Sequence, residues 1–326
     1  MTRAASRIAA LAAGFIVSMA VLAPATAQDW PTKPVKLVVP FPPGGSVDPL
    51  ARLLGVKLSE ALGQQFIVEN RPGASGAIGT AYAAKQPADG YTFVVTFDTH
   101  AIIPFLQKLP YDAEKDFDPV MLVGTAPLAI TTQASKPYRD IADVIKAAKA
   151  KPESITFGSI GNGSVGHLSM TVFMQQAGVK LVHVPYKGGG PMMQDALGGA
   201  IELGVASVAA LAANVKGGKL RAIATTGQKR AHTMPEVPTL AERGYAGFSA
   251  ADWWMIVAPA GTPKPVIGRL HAELVKAIRL PDVTKNLSET LGMDLVAASP
   301  EETQKFLLSE MARWGKVVRD NDIHAD

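Results

Sequence analysis

The stretch from Val35 to Leu50, V-K-L-V-V-P-F-P-P-G-G-S-V-D-P-L, leaves the chain few ways to fold. Val35 to Val39 is a short apolar run of the kind buried on both faces of a parallel sheet. Pro40, Pro42, Pro43, Gly44 and Gly45 then forbid helix and ladder alike and force an open loop. Asp48 followed by Pro49 reads as an N-cap and first helical residue, and Leu50, Leu54, Leu58 and Leu62 give the helix its buried stripe. A strand that passes through a glycine loop into a helix start gathers unpaired N–H groups and the positive end of a helix dipole at one point. Such a point is a seat for an anion or a purely structural tight turn, and this stretch alone fits both.

The pattern recurs along the chain. Phe66 to Glu69 is a second strand, followed by the loop Arg71 to Gly76 and a helix over Ala77 to Lys85. Tyr91 to Phe97 is a third, with Asp98, Thr99 and His100 at its end opening a helix over Ala101 to Gln107. Ile155 to Ile160 leads through Gly161 to His167 into a helix ending at Gln176, and Leu181 to Tyr186 leads through Lys187 to Pro191 into another. Strands Ile201 to Ala206 and Leu220 to Thr225 surround a helix near Val208 to Val215. Strand alternating with helix predicts a doubly wound parallel sheet, with ligands gathering outside the C-terminal strand ends.

Two longer apolar segments break this rhythm, Pro119 to Thr131 and Phe248 to Pro259, and they read as crossings between two α/β lobes with a cleft between them. A chain of 326 residues with 48% hydrophobic content is enough for two cores. Helices opened by Thr262-Pro263 and by the capping box Ser299-Pro300-Glu301-Glu302 finish the first lobe. The expected division is residues 28–125 with 250–326 as lobe 1, and 126–249 as lobe 2.

Residues 1–27 read as an export signal. Arg3 and Arg7 precede an apolar run of about 15 residues, short of the ~20 a spanning helix needs, and Ala25-Thr26-Ala27 is the small-residue cleavage site. With no cysteine there is neither a disulfide nor a lipid-carrying cysteine, so an exported chain of this kind belongs in a periplasm. Loss of the two arginines lowers the formal charge from +4 to +2, too little for a nucleic-acid or membrane-surface role.

Three chemistries fail on spacing. Gly161-x-Gly163-x-x-Gly166 matches a dinucleotide fingerprint, but the next strand ends Val184-Pro185-Tyr186-Lys187 without the acid that would hold a ribose. Ser46, Ser75 and Ser164 do not sit in a G-x-S-x-G elbow. The six histidines show no metal-ligand spacing, so neither metal nor cofactor is expected. Asp98 and His100 form an acid/base pair or simply begin a helix. Trp253 and Trp254 must face opposite sides of their strand, one into core and the other toward the cleft, and Tyr186, at a strand end, is a wall of the site or ordinary packing, of which the first is the expectation here.

Six motifs then stand in order: P-F-P-P-G-G-S-V-D-P-L-A-R from Pro40, N-R-P-G-A-S-G-A-I-G-T from Asn70 with P-A-D-G-Y-T from Pro87, G-N-G-S-V-G-H-L from Gly161, H-V-P-Y-K-G-G-G-P from His183, P-E-V-P-T-L-A-E-R-G from Pro235 and A-P-A-G-T-P from Ala258. Together they resemble the Bug/TctC family, periplasmic solute-binding receptors of tripartite tricarboxylate transporters, over essentially all of the chain beyond the export signal. The resemblance implies a two-lobed Venus-flytrap of the type II periplasmic binding protein kind, with two crossover strands, no enzymatic activity, and closure on a small organic acid that is passed to membrane permease subunits. It implies a monomer with no nucleic-acid partner and no stable membrane insertion. The implied ligand residues are Phe41, Pro43, Gly44, Gly45 and Ser46 in the first loop, Ser75, Asp98 and His100 in the first lobe, and Ser159, Asn162, Gly163, Ser164, Tyr186 and Ser207 in the second. Two departures narrow the ligand. Ile103-Pro104 stands where the family usually has Asn-Pro, and Val205-Ala206-Ser207-Val208 lacks the acid or amide common after that strand, which favours a non-amino di- or tricarboxylate or aromatic acid. The competing expectation is a periplasmic hydrolase or dehydrogenase acting on such acids.

Overall fold

A computed structural model describes residues 30–43 and 46–324. The expected export signal, and Gly44 and Gly45 of the first loop, lie outside the described residues. From Lys33 onward the chain forms one compact unit.

The elements follow the expected alternation: β1 (Val35–Val39), α1 (Val47–Leu62), β2 (Phe66–Asn70), α2 (Ala77–Ala84), β3 (Thr92–Phe97), α3 (Thr99–Leu106), β4 (Phe117–Gln133), α4 (Ile141–Ala150), β5 (Thr156–Ser159), α5 (Val165–Ala177), β6 (Val182–Pro185), α6 (Gly189–Gly198), β7 (Leu203–Ser207), α7 (Val208–Lys216), β8 (Leu220–Thr225), β9 (Ala251–Pro259), α8 (Lys264–Ile278), α9 (Pro281–Lys285), β10 (Asp294–Leu295) and α10 (Pro300–Asp320). Within each lobe the β-α-β strands are parallel, β1 beside β2 and β3, and β5 beside β6 and β7. The whole sheet is mixed rather than parallel, because β9 runs antiparallel to β3 and β4, and β4 antiparallel to β7 and β8. A chain that leaves one lobe along β4 must return along β9, so these two strands oppose each other.

β4 is the structural link. Phe117 to Pro127 pair with β9, whereas Leu128 to Gln133 pair with β7 and β8. Thr226 ties the outgoing and returning segments together: its Oγ1 accepts from Leu128 N–H at 2.9 Å and donates to the Ala250 carbonyl at 2.7 Å.

Each lobe has its own core. Val38, Val94, Leu122, Trp253, Met255 and Leu307 form one, and Ile130, Val144, Phe157, Leu168, Phe173 and Val205 form another. Helix α10 serves both, since Leu307 lies in the first core while Trp314 and Val318 lie in the second. Glu310, between them, accepts from the indole N–H of Trp253 at 3.2 Å and of Trp314 at 2.8 Å.

The start of α1 differs from its sequence pattern. Ser46, not Asp48, occupies the N-cap, and its hydroxyl does not cap the helix. Asp48 turns inward instead, accepting from Asn70 Nδ2 at 2.9 Å and pairing with Arg52 at 3.0 Å. Pro49 needs no hydrogen bond in a first turn, so the helix begins two residues earlier without loss.

Candidate functional site

A cavity of about 1080 Å³ lies at the C-terminal ends of the parallel strands. Five helices begin on it. Their N-cap residues, Ser46 of α1, Asp98 of α3, Ser164 of α5, Gly188 of α6 and Ser207 of α7, all line its wall. Each start presents first-turn N–H groups that no helical carbonyl receives, and each adds the positive end of a macrodipole. The rest of the wall is largely apolar: Phe41, Phe97, Ile102, Ile103 and Leu106 on one side, Ile160, Met192 and Met193 on the other. The ionisable side chains around it are Asp98, Asp252, Lys187 and Tyr186.

Of the residues named from the sequence, Phe41, Ser46, Ser75, Asp98, Asn162, Gly163, Ser164, Tyr186 and Ser207 line this one space. Ser46 from the first lobe and Gly163 and Ser164 from the second thus face the same volume. Pro43 does not line it, its place being taken by Pro42. His100 is turned away: it is buried within α3, its Nε2 lies 2.9 Å from the Ala113 carbonyl, and its ring meets the Phe117 edge. Burial lowers its pKa to about 4, so it is a neutral core residue and not the partner of Asp98.

Ser159 is also off the wall. It is fully buried under the Gly161 to Ser164 loop, with Oγ 3.0 Å from the Gly161 carbonyl and 2.8 Å from His183 Nε2. His183 stacks on His167 with ring centroids 3.8 Å apart, and burial with that neighbour lowers its pKa to about 3. Ser164 caps α5 by accepting from His167 N–H at 3.3 Å, and its own proton faces the Gly161 carbonyl at 2.8 Å. That hydroxyl is committed within the loop, as are the N–H groups of Gly161, Gly163 and Ser164, so what this corner offers a ligand is the first turn of α5. Tyr186 is held by its hydroxyl donating to Asp195 at 2.6 Å, and burial lifts its pKa to about 12.

Neither tryptophan lines the cavity. Trp253 packs in the first core, while Trp254 stands just behind the wall, against the Phe97 ring at 5.2 Å and donating to Ser46 Oγ at 3.2 Å. The residue that motif reading passed over is Asp252. The one signal for it was an acid inside an otherwise apolar strand. It lines the cavity with Asp98, both nearly fully buried. Burial, and then the adjacent Asp252 carboxyl, push Asp98 well above the usual carboxylate range, and burial raises Asp252 to about 6.

Residues 50–323 match the model of the tripartite tricarboxylate transporter family receptor, TctC. The chain belongs to this family. Among its TctC-like relatives, BugT of Bordetella pertussis is 35% identical over 318 residues, covering 97% of each chain. The solved structure of R. palustris Rpa4515 with adipate is 36% identical with a TM-score of 0.81, covering 91% of this chain and 99% of that one. MatC (Rpa3494) from Rhodopseudomonas palustris with bound malate is 28% identical with a TM-score of 0.76, covering 89% and 100%. The TctC-family fold thus accounts for the two lobes and for the mixed sheet that joins them.

Proposed function

We propose that this TctC-family chain is a periplasmic solute-binding receptor that captures a small carboxylate between its lobes and delivers it to the permease of a tripartite tricarboxylate transporter. The convergence of five helix N-termini on one cavity carries the reading, since backbone N–H groups and dipole ends favour an anion without any arginine. The adipate and malate held by the relatives are dicarboxylates, and the apolar wall here suits a carbon chain or ring between acid groups. Export with cleavage near Ala27, a monomeric state, and lobes of residues 28–125 with 250–326 and 126–249 complete the reading. Capture selects the closed population and involves no chemistry on the ligand. Against a hydrolase stands the placement of Ser159 and His183: the pair is within hydrogen-bond distance, but the serine is fully buried beneath the loop and off the cavity wall.

A thermal-shift series over aliphatic and aromatic carboxylic acids tests it. A true ligand at a hundredfold excess over its dissociation constant adds about 2.7 kcal/mol to stability. If neutral solutes stabilise the protein and no acid does, the carboxylate reading is wrong; turnover of a bound acid would make the chain an enzyme.

A further inference from the structure

Two carboxyl groups sit in a cavity whose helix starts favour anions, and that conflict calls for a physical resolution. Asp98 is 2% exposed and Asp252 4% exposed, and both line the cavity. Asp98 follows β3, whereas Asp252 belongs to β9, the neighbouring strand. Among the described residues no lysine, arginine or histidine forms an ion pair with either. The buried Asp98 Oδ2 receives no N–H or O–H from the protein, and the Asp98 side chain does not cap the helix it precedes. The antiparallel register that sets Phe97 opposite Trp254 brings Asp98 and Asp252 to the same stretch of the cavity wall, and two carboxyl groups bond to each other only when a proton lies between them. Two adjacent buried carboxylates, both charged and unpaired, would be strongly unfavourable.

The surrounding charges leave this arrangement in place. Glu310 of α10 adds negative potential to Asp98 but is itself engaged by two indole N–H groups and flanked by Arg313 at 3.9 Å. His100 of α3 faces Ala113, and Lys187, on the opposite lobe's wall, forms no ion pair with either acid.

We propose that Asp98 and Asp252 share one proton and act as the specificity element of the cavity, accepting a hydrogen bond from a donor group, a hydroxyl or an ammonium, on the bound acid. The pair then carries a single negative charge with lone pairs left over, which repels a second ligand carboxylate and attracts a donor. An acid missing from the end of β7 is thereby replaced from the opposite wall, so a hydroxy or amino acid regains a partner that the sequence around Ser207 denies it.

The selectivity rests on the receptor reading above, whereas the shared proton does not, and the experiment separates them. Infrared difference spectra between wild type and Asp98→Asn, and between wild type and Asp252→Asn, at neutral pH should show the carbonyl band of a neutral carboxylic acid in the ligand-free wild type and its loss or shift in each variant. Absence of that band overturns the proposal whatever the protein binds. Calorimetry then compares acids differing in one group, succinate with malate and aspartate, and benzoate with 4-hydroxybenzoate. The donor-bearing member should bind about tenfold or more tightly, as one charge-assisted hydrogen bond allows, and the preference should vanish in both variants. Malate against aspartate distinguishes hydroxyl from ammonium. Equal affinity within each set, or a preference that survives both substitutions, overturns the selectivity. If no acid binds while the infrared band is present, the receptor reading fails, and with it the selectivity, but the shared proton stands.

Discussion

Trp254 Nε1–H donates to Ser46 Oγ at 3.2 Å, joining two residues 208 positions apart. Ser46 is the N-cap position of α1 and part of the cavity wall, so the returning strand β9 positions the first-lobe loop directly. Asn70 braces the same loop from the other side, donating through Nδ2 to the Phe41 carbonyl at 3.2 Å and to Asp48 at 2.9 Å. Trp254→Phe keeps a ring against Phe97 and removes only the donor. Its unfolding free energy in urea is expected to fall by about 1 kcal/mol, with a weaker affinity for the ligand acid. Unchanged values for both would mean that the bond holds nothing in place.

Gly163 has φ +70°, and a Cβ there would meet Leu106 Cδ1 at 2.2 Å. The glycine therefore allows both the left-handed turn before α5 and its close approach to α3. Gly163→Ala should cost about 1–2 kcal/mol from the backbone alone, plus the clash. Combining it with Leu106→Ala relieves the clash only, so a double-mutant cycle of unfolding energies should show favourable coupling between the two substitutions. Simple additivity would place Leu106 out of reach of residue 163.

Ser164→Ala removes a helix cap before it removes any ligand contact. A hydroxyl that donated to the ligand acid would be worth about ten- to a hundredfold in affinity. With its proton facing the Gly161 carbonyl, the variant should instead lose about 1 kcal/mol of stability and no more than about fivefold in affinity. A larger affinity loss measured by calorimetry at unchanged stability would restore the direct contact.

Stability should depend on pH in two opposed ways. Asp98 and Asp252 titrate above the usual 3.8 when folded, so the native state holds protons that the unfolded chain has released, and their contribution declines as pH rises above about 4, for Asp252 through about 6. His183 and His100 titrate below the usual 6.5, near 3 and 4, so their contribution is complete above 6.5 and is lost as pH falls toward those values. Unfolding curves of Asp98→Asn and His183→Gln against wild type separate the two. The first variant should gain stability relative to wild type as pH rises above about 4, and the second should lose less than wild type as pH falls from 6.5 to 4. Parallel curves at every pH would remove these groups from the account.

The strand–loop–helix units were legible because each is written in consecutive residues. An apolar run, then glycine and proline, then a capped amphipathic stretch specifies its own geometry, and so Phe41, Ser75, Asn162 and Tyr186 fall on the cavity where their motifs placed them. His100 and Ser159 were misplaced for the same local reason: being near a loop says nothing of which way a side chain turns, and both turn into a core.

The sequence by itself determined the alternation of elements, the location of the helix starts and the family. Those depend on periodicity and turn chemistry, which are local, and on the order of short motifs, each written in consecutive residues. Only the tertiary structure decided that the sheet is mixed, that α10 serves two cores, that Trp254 holds Ser46, and that Asp252 stands beside Asp98. The return of the chain along β9 brings these residues together, and contacts between residues so far apart in the chain leave no local pattern to read.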